Sequence, residues 1–168
     1  MALSTALEGC VEETLSCLVA AEQAARCVDD RLVRAALCSI VKDEARHAAL
    51  AWRALAWAVA QSGKSAASAD AQSAAKSLRT RVAAAIAAVD PERSVRANAP
   101  SGLESLGRLD SATERGVRKA AFEAVDAPLA KAVLGGAATV AMNFEVSELL
   151  AQFPGAADVA PAVVAAVF

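Results

Sequence analysis

The chain has 168 residues, of which 56% are hydrophobic and 21% are charged, and its net charge is -2. This length suits one domain with a sizeable core, and an alanine-rich composition poor in aromatic residues favours helix over sheet. Because there is no block of basic residues, nucleic acid and anionic membranes are poor candidates as partners. We expect a soluble, cytoplasmic protein, since no apolar run reaches the roughly 18 to 20 residues that cross a bilayer and no signal peptide is recognisable.

The first 61 residues predict a pair of long helices. Apolar residues spaced by three, four and seven positions place helix one at about residues 3–27 and helix two at about residues 31–61. Asp29 and Asp30 lie between them and can cap the second helix. Because the connection is short, the helices should form an antiparallel hairpin. The apolar face predicted for helix two consists of Val33, Leu37, Ile40, Glu44, His47, Ala51, Leu55 and Ala58.

The rest of the chain predicts further helices. After a linker of small residues at 62–70, helix three should span about residues 71–89 and end before Pro91. Residues 91–109 show little periodicity, which is typical of a loop that packs across the surface or belongs to an interface. Helix four should begin with a capping box from Ser111 to Glu114 and kink at Pro128. A last helical piece at about 137–152 precedes an apolar tail, residues 156–168, which we expect to dock on the body or on another subunit.

Several single residues carry separate expectations. Trp52 and Trp57 should anchor the core or an interface. The chain has four cysteines, and none of them forms a CxxC pair. We therefore expect Cys10, Cys17, Cys27 and Cys38 to be free, partly buried thiols.

The chain's single histidine, His47, lies three residues after Glu44. At this spacing the two side chains share one face of a helix, and here that face is predicted to be apolar. If the hairpin turns near Val28, Glu12 is level with Glu44, Glu8 lies one turn further along, and Glu13 should point away. The candidate metal ligands are therefore Glu8, Glu12, Glu44 and His47. Iron and manganese accept this mixture of carboxylate and imidazole.

Two short segments, EGCVEET at residues 8–14 and DEARHA at residues 43–48, resemble a helix pair of the ferritin-like superfamily, in particular bacterial ferritin-like domain-containing proteins. The resemblance covers about the first 60 residues and is looser at residues 107–134. It implies a four-helix carboxylate fold that holds two metal ions, usually iron. By position, Glu44 and His47 match the family's Glu-x-x-His, and Glu8 or Glu12 matches the single glutamate of the preceding helix.

The chain departs from the family pattern in having one such helix pair rather than two. Residues 1–62 would be the ferritin-like pair, and residues 63–168 a helical extension of the same single domain. Two chains can complete a symmetric site as a homodimer or higher oligomer, or a separate chain can supply the second pair. Alternatively, helices three and four close the bundle and leave one ion, or none.

These expectations lead to more than one functional hypothesis. The first is a protein that binds one or two ions of iron or manganese and oxidises ferrous iron or activates dioxygen or peroxide. The second is a non-catalytic helical assembly or scaffold protein with a vestigial metal site, which acts through residues 91–109 and the apolar tail. The third is a redox protein that uses its thiols. Whether the chain is an enzyme at all stays open at this point.

Overall fold

The computed structural model describes residues 2–64, 68–95 and 102–135, and these form four helices without a strand among them. Helix α1 (residues 2–26) joins Ala2–Ser4, a π-helical segment Thr5–Glu12, and Glu13–Arg26. Helix α2 is Arg31–Lys64 and helix α3 is Ala69–Ala87. Helix α4 (residues 111–134) joins Ser111–Ala121, a π-helical segment Phe122–Asp126, and Ala127–Leu134.

The prediction of an all-α fold is confirmed for the described part of the chain. The predicted last helical piece and the apolar tail lie outside the described residues. None of the helices that the structure describes has the length and apolarity required to span a membrane.

The helix starts follow from short polar side chains that accept backbone hydrogen bonds. Asp30 accepts two of them at the start of α2, at 2.7 and 3.1 Å, as the sequence predicts. Ser68 accepts one such hydrogen bond, from Ala71 at 3.2 Å, at the start of α3. At α4 the cap is Asp110 and not the predicted Ser111, and its carboxylate accepts backbone hydrogen bonds at 2.9 and 2.8 Å. The carboxylate of Asp110, one residue before Ser111, pairs with free backbone N–H groups at the start of α4, so these groups do not need the predicted capping box.

The buried face of α2 differs from the predicted one. Ile40 is 46% exposed, and the side chain of His47 is 61% exposed. The buried stripe lies about a quarter turn around the helix from the predicted one. The predicted stripe includes Glu44 and His47, whereas the observed stripe is wholly apolar. The observed packing therefore keeps the polar groups of Glu44 and His47 in contact with water. The buried residues of α2 are Val41, Ala45, Ala48, Ala49, Trp52, Leu55 and Val59.

The core forms where α1 lies between α2 and α4. Val11, Leu15 and Leu18 of α1 are buried in one cluster with residues of the other helices. Gly9 permits the close approach of α1 to α2, because a Cβ atom there would lie 2.8 Å from the Cβ of Ala51. In α4 the π-helical segment ends at Asp126, two residues before the predicted kink residue, Pro128. The wider turn relieves the clash of the proline ring with the carbonyl four residues earlier.

Residues 102–109, the second described part of the 91–109 loop, pack against the α1–α2 connection. The backbone N–H groups of Val28 and Asp29 donate to the carbonyl of Ser105 at 3.0 and 3.2 Å. Gly107 has a φ of +90°, and a Cβ atom there would collide with the carbonyl of Gln23. The loop therefore lies across one end of the helix pair, as expected for a long segment without regular structure.

Candidate metal centre

Three side chains from two helices converge on the outside of the helix pair. Glu13 belongs to α1, and Glu44 and His47 belong to α2. One ligand atom from each lies within 4.8 Å of the other two, and among the described residues this is the group that can hold a metal ion. The Nδ1 atom of His47 is 3.9 Å from a carboxylate oxygen of Glu13 and 3.9 Å from one of Glu44. We call these three residues the surface cluster.

The structure brings together two of the four predicted ligands. Glu44 and His47 are neighbours one turn apart on α2, as their spacing predicts. Glu8 lies elsewhere and accepts a hydrogen bond from Ser4 at 2.9 Å. Glu12 also lies outside the cluster and pairs with Arg118 of α4 at 2.7 Å. The expectation that Glu13 points away is wrong, because Glu13 faces α2.

The neighbours of α1 determine which of its glutamates reaches α2. In an isolated hairpin of α1 and α2, Glu12 would be level with Glu44, as the sequence predicts. In the structure α1 lies between two helices, so Glu12 turns toward α4 and Glu13 toward α2. In the sequence, the basic residue Arg118 on predicted helix four was the feature that could have indicated an ion pair with Glu12.

The charge state of the surface cluster favours a cation. A hydrogen bond with Glu44 raises the pKa of Glu13 to about 7, with smaller contributions from burial and from the charge of Glu44, while His47 acts in the opposite direction. Two carboxylates this close cannot both ionise without repulsion, so Glu13 holds its proton more tightly than usual. A metal ion that replaces this proton would remove the repulsion.

The surface cluster is open to solvent. The exposed fractions of the side chains are 61% for His47, 34% for Glu13 and 27% for Glu44. Two carboxylates and one imidazole form a donor set that suits iron or manganese, and the residues therefore fit the metal that the family resemblance implies. Three ligands leave further coordination positions for water, a substrate, or a ligand from another chain.

Cysteine is a poor additional ligand here. Cys17 lies behind the cluster and donates a hydrogen bond to the carbonyl of Val41 at 3.5 Å. Burial, assisted by the charge of Glu44, raises the pKa of the Cys17 thiol to about 12. A thiol in this state is neither a metal ligand nor a nucleophile at neutral pH. All four cysteines are free, as predicted, and three are buried, which weakens the hypothesis of a thiol-based redox protein.

Large apolar side chains surround the surface cluster along α2. We call them the outer face of α2. They occur on both sides of His47 along the helix, and their exposure is unusual for residues of this size. Trp52 is a core anchor, as predicted, whereas Trp57 belongs to this face. The members are Leu32, Ile40, Leu50 and Trp57, with exposed fractions of 82%, 46%, 64% and 66%.

A second polar group, in the core, was missed by the sequence analysis. Asp126 and Arg118 of α4 are both buried. The available signal was that Asp126 directly follows Val125 and therefore borders the face of helix four that was expected to be apolar. A charged residue beside such a face is often solvated at its border, so the pattern alone does not separate a border residue from a buried one.

Comparisons with known proteins gave no match among protein-family models, curated proteins or solved structures. The resemblance to the ferritin-like superfamily therefore stays a prediction that depends on Glu44, His47 and their neighbours in the sequence.

Proposed function

We propose that the surface cluster binds iron or manganese and that the protein is a ferritin-like metal carboxylate protein. The observation that carries this proposal is the convergence of Glu13, Glu44 and His47, with ligand atoms within 4.8 Å of one another. A glutamate on one helix and Glu-x-x-His on its antiparallel neighbour also follow the arrangement that helical bundles use for such metals. Glu13 takes the place that the resemblance assigned to Glu8 or Glu12.

The metal would supply redox chemistry, either the oxidation of ferrous iron or the activation of dioxygen or peroxide. The protein's contribution is to hold the ion with oxygen ligands that suit both oxidation states of iron, and to keep open positions toward solvent. Glu13, whose pKa is raised to about 7 by its hydrogen bond with Glu44, also holds a proton that a bound ion would displace.

Metal content tests this proposal. We expect purified protein reconstituted anaerobically with ferrous iron to retain about one ion per chain after desalting, and the Glu44→Ala/His47→Ala variant to retain none, because mutation of metal ligands abolishes tight binding. The matched control is Asp43→Ala/Arg46→Ala, which removes an exposed ion pair of 3.0 Å on the same helix and should leave the metal content unchanged.

Single variants identify the ligand on α1. Glu13→Ala should reduce the metal content, and Glu12→Ala should not, since the Glu12 carboxylate is paired with Arg118. Elemental analysis that finds no bound iron, manganese or zinc in the wild-type protein after reconstitution would reject the proposal. Loss of metal in Glu12→Ala but not in Glu13→Ala would restore the assignment made from the sequence.

We further propose that two copies of the chain pair through the outer face of α2. The stretch from Leu32 to Trp57 is about 38 Å long at the rise of an α-helix. A strip about 12 Å wide would bury roughly 900 Å² in total, close to the lower limit of about 1,000 Å² for specific interfaces. His47 lies within the strip, so an antiparallel two-fold pair would bring two surface clusters together.

Because the apolar area alone is marginal, we expect pairing to be strengthened by metal. The wild-type protein with iron should sediment as a dimer that dissociates when a chelator is added. Leu50→Glu/Trp57→Glu should be monomeric under both conditions, because carboxylates on the strip resist desolvation. Leu103→Glu is the control, since Leu103 is 41% exposed on the 102–110 loop and outside the outer face.

The results separate metal binding from pairing. A monomeric wild-type protein that carries iron rejects the pairing but keeps the metal site. The wild-type protein could instead be a dimer that binds no metal and that becomes monomeric in Leu50→Glu/Trp57→Glu. This result favours the second candidate function, a non-catalytic assembly protein. The exposed outer face is the specific observation that favours this second candidate.

A further inference from the structure

Asp126 is a carboxyl group in an unusual position. It is fully buried, and within the described part of the chain neither carboxylate oxygen has a hydrogen-bond partner. It is the last residue of the π-helical segment of α4, which touches the π-helical segment of α1. Buried polar groups in proteins are nearly always paired, so an unpaired carboxyl at the contact of two widened helical turns calls for a function.

The groups around Asp126 are already engaged with one another. On α1, the hydroxyl of Thr14 donates to the carbonyl of Cys10 at 2.6 Å, and it accepts a hydrogen bond from the indole of Trp52 at 3.2 Å. On α4, the guanidinium of Arg118 donates to Glu12 at 2.7 Å and also to the carbonyl of Pro91. The charged and titratable groups that act on Asp126 are therefore Glu12 and Cys10 from α1 and Arg118 from α4.

These surroundings accept a neutral acid and resist an anion. Burial raises the pKa of Asp126 well above its ordinary value, and the charge of Glu12 acts in the same direction. The hydroxyl of Thr14 and the charge of Arg118 act the other way. To stabilise the anion, Thr14 would turn its hydroxyl away from the Cys10 carbonyl, or Arg118 would leave Glu12. Either change breaks a contact between α4 and the helix pair or within α1.

We propose that Asp126 is a proton-operated latch that, as the neutral acid, lets α4 dock against α1, and that its ionisation loosens α4 from the α1–α2 pair. The released element would be residues 111–134, which contact α1 through Arg118 and the π-helical segments. Loosening of α4 would release Glu12 from its ion pair with Arg118. Glu12 immediately precedes Glu13 of the surface cluster. This latch does not depend on metal binding and can be tested in the metal-free protein.

The pH dependence has a defined sign. An acid whose pKa is raised by folding binds its proton more tightly in the folded state. The corresponding stability is complete below the ordinary pKa of 3.8 and is lost as the pH rises through the higher pKa of the folded state. Over that range, one such group increases the unfolding equilibrium constant by up to about tenfold per pH unit.

The test is urea denaturation of the metal-free protein between pH 5 and 9, with Asp126→Asn as the variant. The amide is nearly the same size as the acid and does not titrate. We expect the ratio of the unfolding constants of wild type and Asp126→Asn to rise as the pH rises. The control is Glu123→Gln, which changes an exposed carboxyl in the same π-helical segment and should give a ratio independent of pH. A pH-independent ratio for Asp126→Asn overturns the latch.

Hydrogen exchange in the wild-type protein keeps the proposal testable if Asp126→Asn does not fold. We expect the protection factors of backbone amides in residues 118–134 to decrease with rising pH by a larger factor than those in the buried part of α2. Equal changes in the two helices between pH 5 and 9 would show that α4 is not released on its own, and would overturn the latch.

Discussion

The molecule holds two acidic sites on either side of α1, and they differ in how each carboxyl group is treated. At the surface cluster, Glu13 has a second carboxylate as its neighbour and is open to water. In the core, Asp126 has no hydrogen-bonding partner among the described residues and is sealed from water. Both carboxyl groups hold a proton more tightly than usual, the first because of its hydrogen bond with Glu44, the second because burial penalises its charge.

The different causes lead to different functions. A proton on the partly exposed carboxyl of Glu13 can be exchanged for a metal ion without disturbing the fold, because water and the open side of the cluster accommodate the change. A proton on a sealed carboxyl has no replacement, so its loss must disturb the packing around it. We therefore expect substitutions in the surface cluster to change binding and substitutions around Asp126 to change stability.

The largest effect that separates the two sites should come from Thr14. Thr14→Val removes the hydroxyl that accepts from the indole of Trp52 and leaves a buried N–H group unpaired. We expect the free energy of unfolding to fall by about 1 to 3 kcal/mol, the typical cost of an unpaired buried polar group. Urea denaturation measures this change, and the metal content should be that of the wild type.

Thr80→Val is the matched control for Thr14→Val. The Thr80 hydroxyl also donates to the carbonyl four residues earlier, at 3.0 Å, but it does so on the exposed side of α3. Its replacement should change the stability by less than about 0.5 kcal/mol. Equal losses for the two threonines would show that the core site contributes nothing beyond a local helix contact, and the comparison between the two sites would fail.

The sequence was sufficient for the helices and for part of the surface cluster. The spacing of apolar residues and the capping residue Asp30 placed the first two helices within a few residues of their observed bounds. The spacing of Glu44 and His47 required that they lie together on one face. These are local properties, because they depend only on the geometry of a helix and on residues within one or two turns.

Properties that depend on packing between helices were harder to predict. The face predicted for α2 carried Glu44 and His47, whereas the face about a quarter turn away is wholly apolar. The structure buries the second face, so Val41 rather than Ile40 lies in the core.

The π-helical segments and the second neighbour of α1 decided the orientation of Glu12 and Glu13. The spacing within one helix could not decide which of Glu8, Glu12 and Glu13 is the ligand on helix one, because the partners of these residues lie on other helices. Asp126 was missed because it borders a face that was expected to be apolar.

The smallest effect on stability should come from Glu13. Because its pKa in the folded protein is about 7, against an ordinary value of 4.5, the stability it contributes is complete below pH 4.5 and is lost as the pH rises through 7. The side chain is one-third exposed, so solvent screens the interaction, and the loss of stability should be smaller than that of Thr14→Val. Glu13→Gln should remove this slope from urea denaturation of the metal-free protein between pH 4 and 8.

The pH dependence of metal affinity should report the proton on Glu13 with a larger change than urea denaturation does. Because the ion competes with the proton held by Glu13, the affinity of the wild-type protein for manganese should increase by up to about tenfold per pH unit between pH 5 and 7 and then level off. Glu13→Gln should bind manganese more weakly and with a shallower dependence on pH. If the manganese affinity of Glu13→Gln depended on pH as steeply as that of the wild type, the competing proton would belong to another group. The surface cluster would then not differ from Asp126 in holding, on Glu13, a proton that a metal ion can replace.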